Sequence, residues 1–331
     1  MMMTNNFLLS DYRKTICIFL LQLPVSVQAG IDGLTTQQLV NEMSRATHEL
    51  NYDGIFIYRH GRQSNTMRLI HKNNTDGEVE RLISLTGHPR EVIRNNKSVT
   101  CIFQDNKSVM VEKSHPYTLP MSQLRESGEK LNAYYRLSIT GQDRVAGNNA
   151  TIVTVQPTDN FRYGYQLWID NNNYLLLKSE LKNESGYPLE QIEFTKIEVL
   201  EAVPDEMLVP AIASDGFSRF DNTTLNMTST NYSGNWQVKW MPDGFAMNKR
   251  ESQSLAASSN KVDHMVYTDG MAMVSIFIEP INIHSQFVPG LSRIGAVNAF
   301  ARHTNGLQIT VVGEVPPTTV EKMAISVTNE N

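Results

Sequence analysis

Three extended runs in the segment 161–199 constrain the fold of this chain more than any other feature of its sequence. In the first run, large apolar residues alternate with polar ones, which is the period of a strand with one buried face. The apolar members of this alternation are Tyr163, Tyr165, Leu167 and Ile169. The runs are separated at 171–173 and 184–188 by residues that favour tight turns. The segment therefore predicts three consecutive antiparallel strands with an apolar concave face.

The first 29 residues are predicted to be a signal peptide that is removed on export. Arg13 and Lys14 precede a short apolar run, 15–21, and the small residue Ala29 ends the segment where a signal peptidase would cut. A membrane anchor is the alternative, but a bilayer span needs about 20 apolar residues and polar residues interrupt this run early. We therefore expect an exported, soluble mature chain.

Cysteine content and charge narrow the class of protein further. Removal of the signal peptide takes Cys17 with it and leaves Cys101 alone, which excludes an intrachain disulfide. The apolar neighbours of Cys101 favour a buried thiol, although an intermolecular bridge stays open. A formal net charge of −5 gives no electrostatic reason to expect nucleic acid as a partner. The length of 331 residues favours two domains.

The first domain, residues 30–214, is predicted to open with a helix and continue with short strands. Helical spacing links four apolar residues, Leu39, Met43, Ala46 and Leu50. Thr35 or Thr36 is available as the N-cap of this helix. Strand-like runs then follow at 54–58, 66–72, 79–85, 91–93 and 99–103, separated by turn residues. Strands at this spacing predict a sheet that curls on itself, and residues 122–135 are a candidate for one or two helices.

A second domain is predicted over residues 236–331, after a polar and weakly periodic linker at 215–235. An Asp-Gly pair at 269–270 predicts a hairpin with a type I′ turn, and an Asn-Gly pair at 305–306 predicts another. Pro317 suits the first turn of a closing helix. The apolar face of that helix comprises Val320, Met323, Ala324 and Val327. The pattern predicts a small antiparallel sheet covered by one helix.

The sequence contains no motif typical of catalysis, metal binding or cofactor binding. Its eight histidines are scattered, without helical ligand spacing or a companion cysteine cluster. His60, His88 and His115 adjoin turns and are interpreted as exposed loop residues. Glu78 and Glu80 alternate along a predicted strand and are interpreted as part of a solvated face. There is no G-x-S-x-G elbow and no phosphate-binding loop, so we expect no enzyme, no metal and no cofactor.

Short segments spread over nearly the whole chain match one family in their order and spacing. They are LTG at 85–87, REV at 90–92, RYGYQLWID at 162–170, LLLKS at 175–179, LEQ at 189–191, WMPDGF at 240–245, YTDG at 267–270, GAVNA at 295–299 and VVGEVP at 311–316. In these segments the chain resembles the MucB/RseB family of periplasmic sigma-E regulatory proteins. The resemblance extends from about Tyr52 to Val327.

The resemblance implies an α+β fold in two domains. The N-terminal domain would be an unclosed antiparallel β-barrel packed on helices, like the lipoprotein carriers of the periplasm, and would enclose an apolar cavity. The C-terminal domain would be a small antiparallel sheet with one helix. The candidate wall of the lipid cavity is aromatic and comprises Phe56, Tyr58, Phe103, Tyr163, Tyr165 and Trp168. Ordinary core packing is the alternative for each, and Tyr165 and Trp168 cannot share one face of a regular strand.

The resemblance also implies a periplasmic negative regulator rather than an enzyme. Such proteins hold the periplasmic domain of a membrane-spanning anti-sigma factor and keep a protease from starting its degradation. Lipid or lipopolysaccharide in the cavity would then weaken the contact. The candidate partner-binding residues lie in two matching segments and are Tyr267, Asp269, Gly270, Arg293 and Asn298. A role in turn formation is the alternative for these residues.

Three other hypotheses stay open at this stage. A periplasmic carrier of lipid or lipoprotein is the alternative function, since a hydrophobic cavity is expected of both. An enzyme ranks third, because a substrate site can be built from residues that no motif reveals. A homodimer is a further hypothesis, because the edge strands of an unclosed barrel invite pairing.

Overall fold

The computed structural model describes residues 33–114, 133–221, 235–254, 261–281 and 289–330. The predicted signal peptide, His115, most of the predicted helical segment 122–135 and most of the predicted linker lie outside the described residues. We refer to residues 33–221 as the N-terminal lobe and to residues 235–330 as the C-terminal lobe.

Helix α1, Thr36–Glu49, opens the N-terminal lobe as predicted. Thr35 is the N-cap, and its hydroxyl accepts a hydrogen bond from the backbone N–H of Gln38. The side chain of Gln38 accepts one from the backbone N–H of Thr35, which completes a capping box. The buried residues of the helix are Leu39, Val40, Met43, Ser44 and Ala46. The cap and the apolar face therefore fix both the start of α1 and the side that packs on the sheet.

Twelve strands form one sheet in the N-terminal lobe. In chain order they are β1 (Asn51–His60), β2 (Gln63–Asn74), β3 (Gly77–Ser84), β4 (Arg90–Asn95), β5 (Ser98–Phe103), β6 (Ser108–Lys113), β7 (Tyr135–Val145), β8 (Asn148–Pro157), β9 (Gly164–Asp170), β10 (Leu176–Lys182), β11 (Pro188–Leu200) and β12 (Ser218–Asp221). Across the sheet the order is β12-β6-β5-β4-β3-β2-β1-β11-β10-β9-β8-β7. Within the described residues the end strands β7 and β12 do not pair with each other, so the sheet is unclosed, as predicted.

The three runs of segment 161–199 form β9, β10 and β11, which are consecutive antiparallel neighbours, as predicted. Side chains shape the connection between β9 and β10. Asp170 Oδ1 accepts from the backbone N–H of Asn172 at 2.8 Å, and Tyr174 adopts a left-handed φ of 64°. This chemistry agrees with the turn that the asparagines predict.

Strand β9 is buried on both faces, whereas its alternation predicts one polar face. Trp168 points away from Leu167 and Ile169, yet all three are buried. The hairpin of β7 and β8 covers the second face, where Val145 and Ala150 pack with Trp168. Alternation shows which residues share a face, but the second layer of packing arises from strands that are distant in the sequence.

The predicted linker 215–235 begins with a strand. Ser218–Asp221 forms β12, which pairs in parallel with β6 and extends the large sheet. The four side chains of β12 are exposed, so the strand is held by its backbone and shows no apolar alternation. A 3-10 helix, Asp205–Leu208, precedes it. For residues 222–234 the linker stays a prediction.

The C-terminal lobe combines two antiparallel sheets and one helix. Its elements are β13 (Trp236–Val238), β14 (Ala246–Ser254), β15 (Lys261–Thr268), β16 (Met273–Pro280), β17 (Gly290–Ile294), β18 (Val297–Thr304), β19 (Leu307–Gly313), α2 (Pro317–Ser326) and β20 (Val327–Asn329). The larger sheet has the order β14-β15-β16-β19-β18-β17, and β13 pairs with β20. The core includes the predicted apolar face of the helix, Val320, Met323, Ala324 and Val327.

Both predicted hairpins of the C-terminal lobe are present. Asn305 and Gly306 adopt left-handed φ values of 48° and 78° between β18 and β19. The connection of β15 to β16 has four residues instead of the two of a type I′ turn. The reason is the side chain of Asp269, whose Oδ1 accepts from the backbone N–H groups of Met271 and Ala272 at 2.9 and 2.7 Å. This carboxylate widens the loop, so the predicted turn type is wrong while the hairpin is confirmed.

Candidate functional site

A cavity of about 310 Å³ is lined mainly by strands β1, β2, β10 and β11 of the large sheet. Its apolar wall comprises Tyr52, Phe56, Tyr58, Met67, Leu69, Leu82, Tyr165, Leu175, Leu176, Leu181, Ile192, Phe194 and Ile197. Its polar lining comprises Thr47, Lys178, Ser179, Glu190, Gln191 and Glu314. Glu314 is the contribution of the C-terminal lobe, so both lobes meet at the cavity.

Three of the six aromatic candidates line this cavity: Phe56, Tyr58 and Tyr165. Phe56 packs against Phe194 with ring centroids 5.5 Å apart. The hydroxyl of Tyr58 donates to Glu190 Oε2 at 2.9 Å, which orients both side chains. Binding of lipid by these residues stays a prediction.

The other three candidates lie elsewhere. Trp168 is three residues from Tyr165 on β9 and therefore points to the opposite face, since side chains alternate along a strand. There its Nε1–H donates to Asp143 Oδ2 at 2.9 Å. Tyr163 lies before β9, and its hydroxyl accepts from Asn298 Nδ2 at 3.0 Å. Phe103 ends β5, four strands away from β1 across the sheet. For these three the sequence shows aromatic character but not the distance to the cavity.

Two carboxylates at the cavity, Glu190 and Glu314, were not among the sequence candidates. Burial, reinforced by the negative charge of Glu190, raises the pKa of Glu314 to about 7. Burial and the same neighbour raise the pKa of Tyr58. Glu190 Oε1 also accepts from the backbone N–H of Ala296 at 3.3 Å, across the boundary between the lobes. Both residues lie in segments that match the family, at 189–191 and 311–316, but the sequence does not show that these segments meet, because they belong to different lobes.

A group of buried polar side chains, which we name the lobe contact, joins the two lobes through Arg162. This residue is fully buried, and its Nη2 donates to the backbone carbonyl of Asp243 at 2.6 Å. Its Nη1 lies 3.1 Å from Asp269 Oδ2, which also accepts from the Tyr135 hydroxyl at 2.9 Å. The Thr319 hydroxyl adds a bond to a carbonyl of the N-terminal lobe at 2.7 Å. The lobe contact therefore pairs charges that are removed from water.

Two predicted partner-binding residues lie at the boundary between the lobes rather than on a free surface. Asp269 faces Arg162, and Asn298 donates to Tyr163 and to the backbone carbonyl of Val315 at 2.8 Å. Both side chains are buried, so a partner reaches them only after the lobes separate.

The remaining predicted partner-binding residues have different surroundings. Tyr267 is buried in the core of the C-terminal lobe. Gly270 has a φ of 98° in the hairpin loop, a conformation that suits glycine. Arg293, on the edge strand β17, is exposed and donates its Nε–H to the carbonyl of Gly295 at 2.8 Å. A contact of these three residues with a partner stays a prediction.

The interpretation of Glu78 and Glu80 as a solvated face is wrong. Glu78 Oε1 lies 2.9 Å from both His48 Nδ1 and His71 Nε2, and Glu80 pairs with Arg94 at 3.2 Å. Burial of Glu78 disfavours its ionisation, but the hydrogen bonds from the two histidines outweigh burial and lower its pKa strongly. These contacts follow from the register of β2 on β3. It places His71 directly opposite Glu80 and diagonally across from Glu78, which lies on the same face of β3.

Within the described ranges, no helix has the length and apolar character needed to cross a membrane.

Comparison with known proteins relates most of the chain, in both lobes, to one family. The model of the MucB/RseB N-terminal domain matches residues 35–212, and that of the MucB/RseB C-terminal domain matches residues 230–328. The sigma factor AlgU regulatory protein MucB of Pseudomonas aeruginosa is 29% identical over 299 residues, which cover 88% of this chain and 90% of MucB. The sigma-E factor regulatory protein RseB of Haemophilus influenzae is 26% identical over 305 residues, covering 92% and 94%.

Solved structures agree with the sequence relatives. The structure of the Pseudomonas aeruginosa MucA/MucB complex matches with a TM-score of 0.69 and 27% identity, over 89% of this chain and 99% of that chain. The crystal structure of MucB in complex with MucA(peri) gives the same TM-score and identity, over 90% and 100%. Since the family models match both lobes and the relatives are similar over nearly their full length, this chain belongs to the MucB/RseB family.

Proposed function

We propose that this chain is a periplasmic negative regulator of a sigma-E-type envelope stress response. It binds the periplasmic domain of a membrane-spanning anti-sigma factor and shields that domain from regulated proteolysis. The observation that carries the proposal is the similarity over both lobes to MucB, whose structure is known in complex with MucA(peri). Since the match covers 99% of that MucB chain, both of its lobes have a counterpart here.

Binding rather than catalysis is the activity that the site supports. The cavity wall is mainly apolar, and the carboxylate of Glu190 accepts hydrogen bonds from the Tyr58 hydroxyl and from the backbone N–H of Ala296. The relatives are named as regulatory proteins. Steric protection of a bound partner needs a complementary surface and no reacting group.

Lipid in the cavity is the proposed signal for release of the partner. A volume of about 310 Å³ lies at the lower end of the range for small-molecule pockets. Each methylene group of a lipid that becomes buried contributes about 0.8 kcal/mol to the free energy of binding. Roughly eight such groups would contribute about 6 kcal/mol, before subtraction of the entropic cost of ordering the lipid and the cavity side chains. The apolar wall therefore suits one acyl chain of a lipid or lipopolysaccharide.

Residues at the boundary between the lobes couple lipid binding in the cavity to partner binding. Glu314 brings the C-terminal lobe to the cavity, and Glu190 bonds the backbone of Ala296. An acyl chain that displaces either carboxylate changes the free energy of the arrangement of the two lobes. Lipid then weakens partner binding to the extent that it prefers the released arrangement.

Calorimetric titration of the chain from Gly30 onward with the periplasmic domain of the organism's own anti-sigma factor tests the proposal. Saturable binding is expected, together with slower cleavage of the bound domain by its site-1 protease. Arg293→Glu reverses an exposed charge in a predicted partner-binding segment and should weaken binding. Lys196→Glu reverses an exposed charge on β11 and serves as the matched control. Absence of binding to a well-folded partner would refute the regulator.

A second titration separates the regulator from a lipid carrier. Lipid added to the preformed complex should displace the anti-sigma factor domain, and Leu69→Arg, which places a charge in the cavity, should abolish this displacement. Transfer of lipid between vesicles without any partner binding would instead favour the carrier.

Assembly is a separate part of the proposal. Within the described residues β12 is an end strand of the large sheet, and Phe220 on it is 58% exposed. Such an edge can pair with a second copy of the chain. Sedimentation that finds only monomer at micromolar concentration would exclude the homodimer.

A further inference from the structure

We propose that His71, Glu78 and Glu80 form a binding site for a divalent transition-metal ion such as Zn²⁺, with His48 as an additional ligand. One ligand atom from each of the first three residues lies within 4.8 Å of the others. His48 Nδ1 lies 2.9 Å from Glu78 Oε1. The proposal is independent of the proposed regulatory function, because it rests on this cluster alone.

The hydrogen bond of His71 to the backbone determines the role of its other nitrogen. Nδ1 lies 2.7 Å from the carbonyl oxygen of Leu50. A carbonyl oxygen only accepts, so Nδ1 carries a hydrogen, and in the neutral ring Nε2 then carries a lone pair. That lone pair points at Glu78 Oε1, 2.9 Å away, which is also an acceptor. A hydrogen on one of these two atoms makes them a hydrogen-bonded pair, and a metal ion bound to both atoms would take its place.

The local structure holds His71 in the orientation of a metal ligand. Its side chain is fully buried, and the ring of Tyr52 stacks on it with a centroid distance of 4.7 Å. Histidine ligands of metal ions commonly donate their second ring N–H to a carbonyl or a carboxylate, which fixes the tautomer. The bond to Leu50 supplies this contact.

The ligands come from three elements whose geometry brings them together. Glu78 and Glu80 are two residues apart on β3 and therefore point to the same face. His71 on β2 is the cross-strand partner of Glu80, and His48 lies in the last turn of α1. Imidazole nitrogen and carboxylate oxygen together are a ligand set that suits Zn²⁺.

Arg94 neutralises part of the charge without taking the ligand atom of Glu78. Its Nε lies 3.2 Å from Glu80 Oε2, and its Nη2 lies 3.6 Å from Glu78 Oε2, while the histidines face Oε1. An ion with bonds of about 2.0 to 2.2 Å requires ligand atoms roughly 3.3 Å apart. The ligand atoms of His71, Glu78 and Glu80 lie within 4.8 Å of one another, so the ion would have to draw the most distant pair together by rotation of the glutamate side chains. Tyr52 also lines the cavity, so a bound ion would stiffen the cavity wall.

Calorimetric titration of the untagged chain from Gly30 onward with ZnCl₂ in chelator-free buffer tests the site. We expect one ion per chain with a micromolar or lower dissociation constant, and no comparable binding of Mg²⁺. Co²⁺ in place of Zn²⁺ should give the visible absorption of a low-coordinate site.

Variants assign the ligands. Glu78→Gln and His48→Gln should each weaken Zn²⁺ binding by at least about tenfold. His88→Gln is the control, since His88 is 92% exposed and pairs with Asp105 away from the cluster. Thermal melts establish that each variant folds. No stoichiometric binding by the parent chain, or equal affinity in the folded Glu78→Gln variant, would overturn the proposal.

Discussion

Replacement of Arg162 by methionine should be among the most destabilising single changes in this chain. The guanidinium is fully buried and faces Asp269, whose side chain is also fully buried. Methionine keeps an unbranched apolar stem but leaves the Asp269 carboxylate without its cation. Removal of one partner of a buried ion pair costs about 3 to 5 kcal/mol, because the other charge stays in a medium of low dielectric. Arg162→Met should therefore lower the free energy of unfolding by that amount.

A double-mutant cycle with Asp269→Asn isolates the pair. Asparagine keeps a carbonyl oxygen for the backbone N–H groups of Met271 and Ala272 but carries no charge. In the parent background this change leaves Asp159, 3.2 Å from Arg162 Nη2, as the remaining carboxylate partner of the buried guanidinium and should be costly. In the Arg162→Met background it removes a stranded charge, so the double variant should be less destabilised than the two single costs predict. We expect a coupling energy of at least about 1.5 kcal/mol.

Urea unfolding followed by circular dichroism measures the cycle, with m-values checked for a separate transition of each lobe. Arg59→Met is the matched control, because the Arg59 side chain is 50% exposed and its change should stay within about 0.5 kcal/mol. A cost below about 1 kcal/mol for Arg162→Met, or additive costs in the cycle, would show that Arg162 and Asp269 do not stabilise each other.

Three further changes test other parts of the fold. The pKa of Glu314 is raised to about 7, so the free energy of unfolding should fall as pH rises from about 4.5 to 7 and the buried carboxyl ionises. Glu314→Gln should remove this fall, which amounts to up to about 3 kcal/mol and is reduced by solvent screening of the carboxylate. Thermal melts across that pH range measure the difference. Thr35→Ala should cost about 1 kcal/mol by loss of the N-cap, whereas Thr35→Ser should be nearly neutral in urea unfolding. Gly313→Ala would place a methyl group 2.6 Å from a backbone oxygen of β16 and should lower the free energy of unfolding by about 1 to 3 kcal/mol in urea. An unchanged urea midpoint would contradict the close packing of β16 on β19.

The elements of the fold could be predicted where periodicity and turn chemistry agree. The alternation of Tyr163, Tyr165 and Leu167 identifies β9, and the Asn-Gly pair at 305–306 identifies a hairpin. Periodicity did not reveal that Trp168 would also be buried, because its cover comes from β7 and β8. A local sequence pattern depends only on residues that are close along the chain. The burial of a side chain also depends on strands that are distant in the sequence but pack against it.

The site was less predictable, because its polar residues become neighbours only through long-range pairing. His71 meets Glu78 through the register of β2 on β3, and a shift of one residue would separate them. Glu190 and Glu314 approach each other from separate lobes. The family resemblance pointed to segment 267–270, but it could not distinguish a surface for a partner from an internal contact such as that of Asp269 with Arg162.

The parallel pairing of β12 with β6 sets how far the lobes can move apart. The chain leaves the N-terminal lobe at Asp221 and enters the C-terminal lobe at Asn235, with 13 residues between them. Fully extended, that stretch reaches at most about 50 Å. If the lobe contact opened, the covalent connection would keep each lobe within that reach of the other, so opening and reclosure would both be unimolecular. Reclosure would then compete with any ligand that binds the opened lobes, because the covalent connection prevents either lobe from diffusing away from the other.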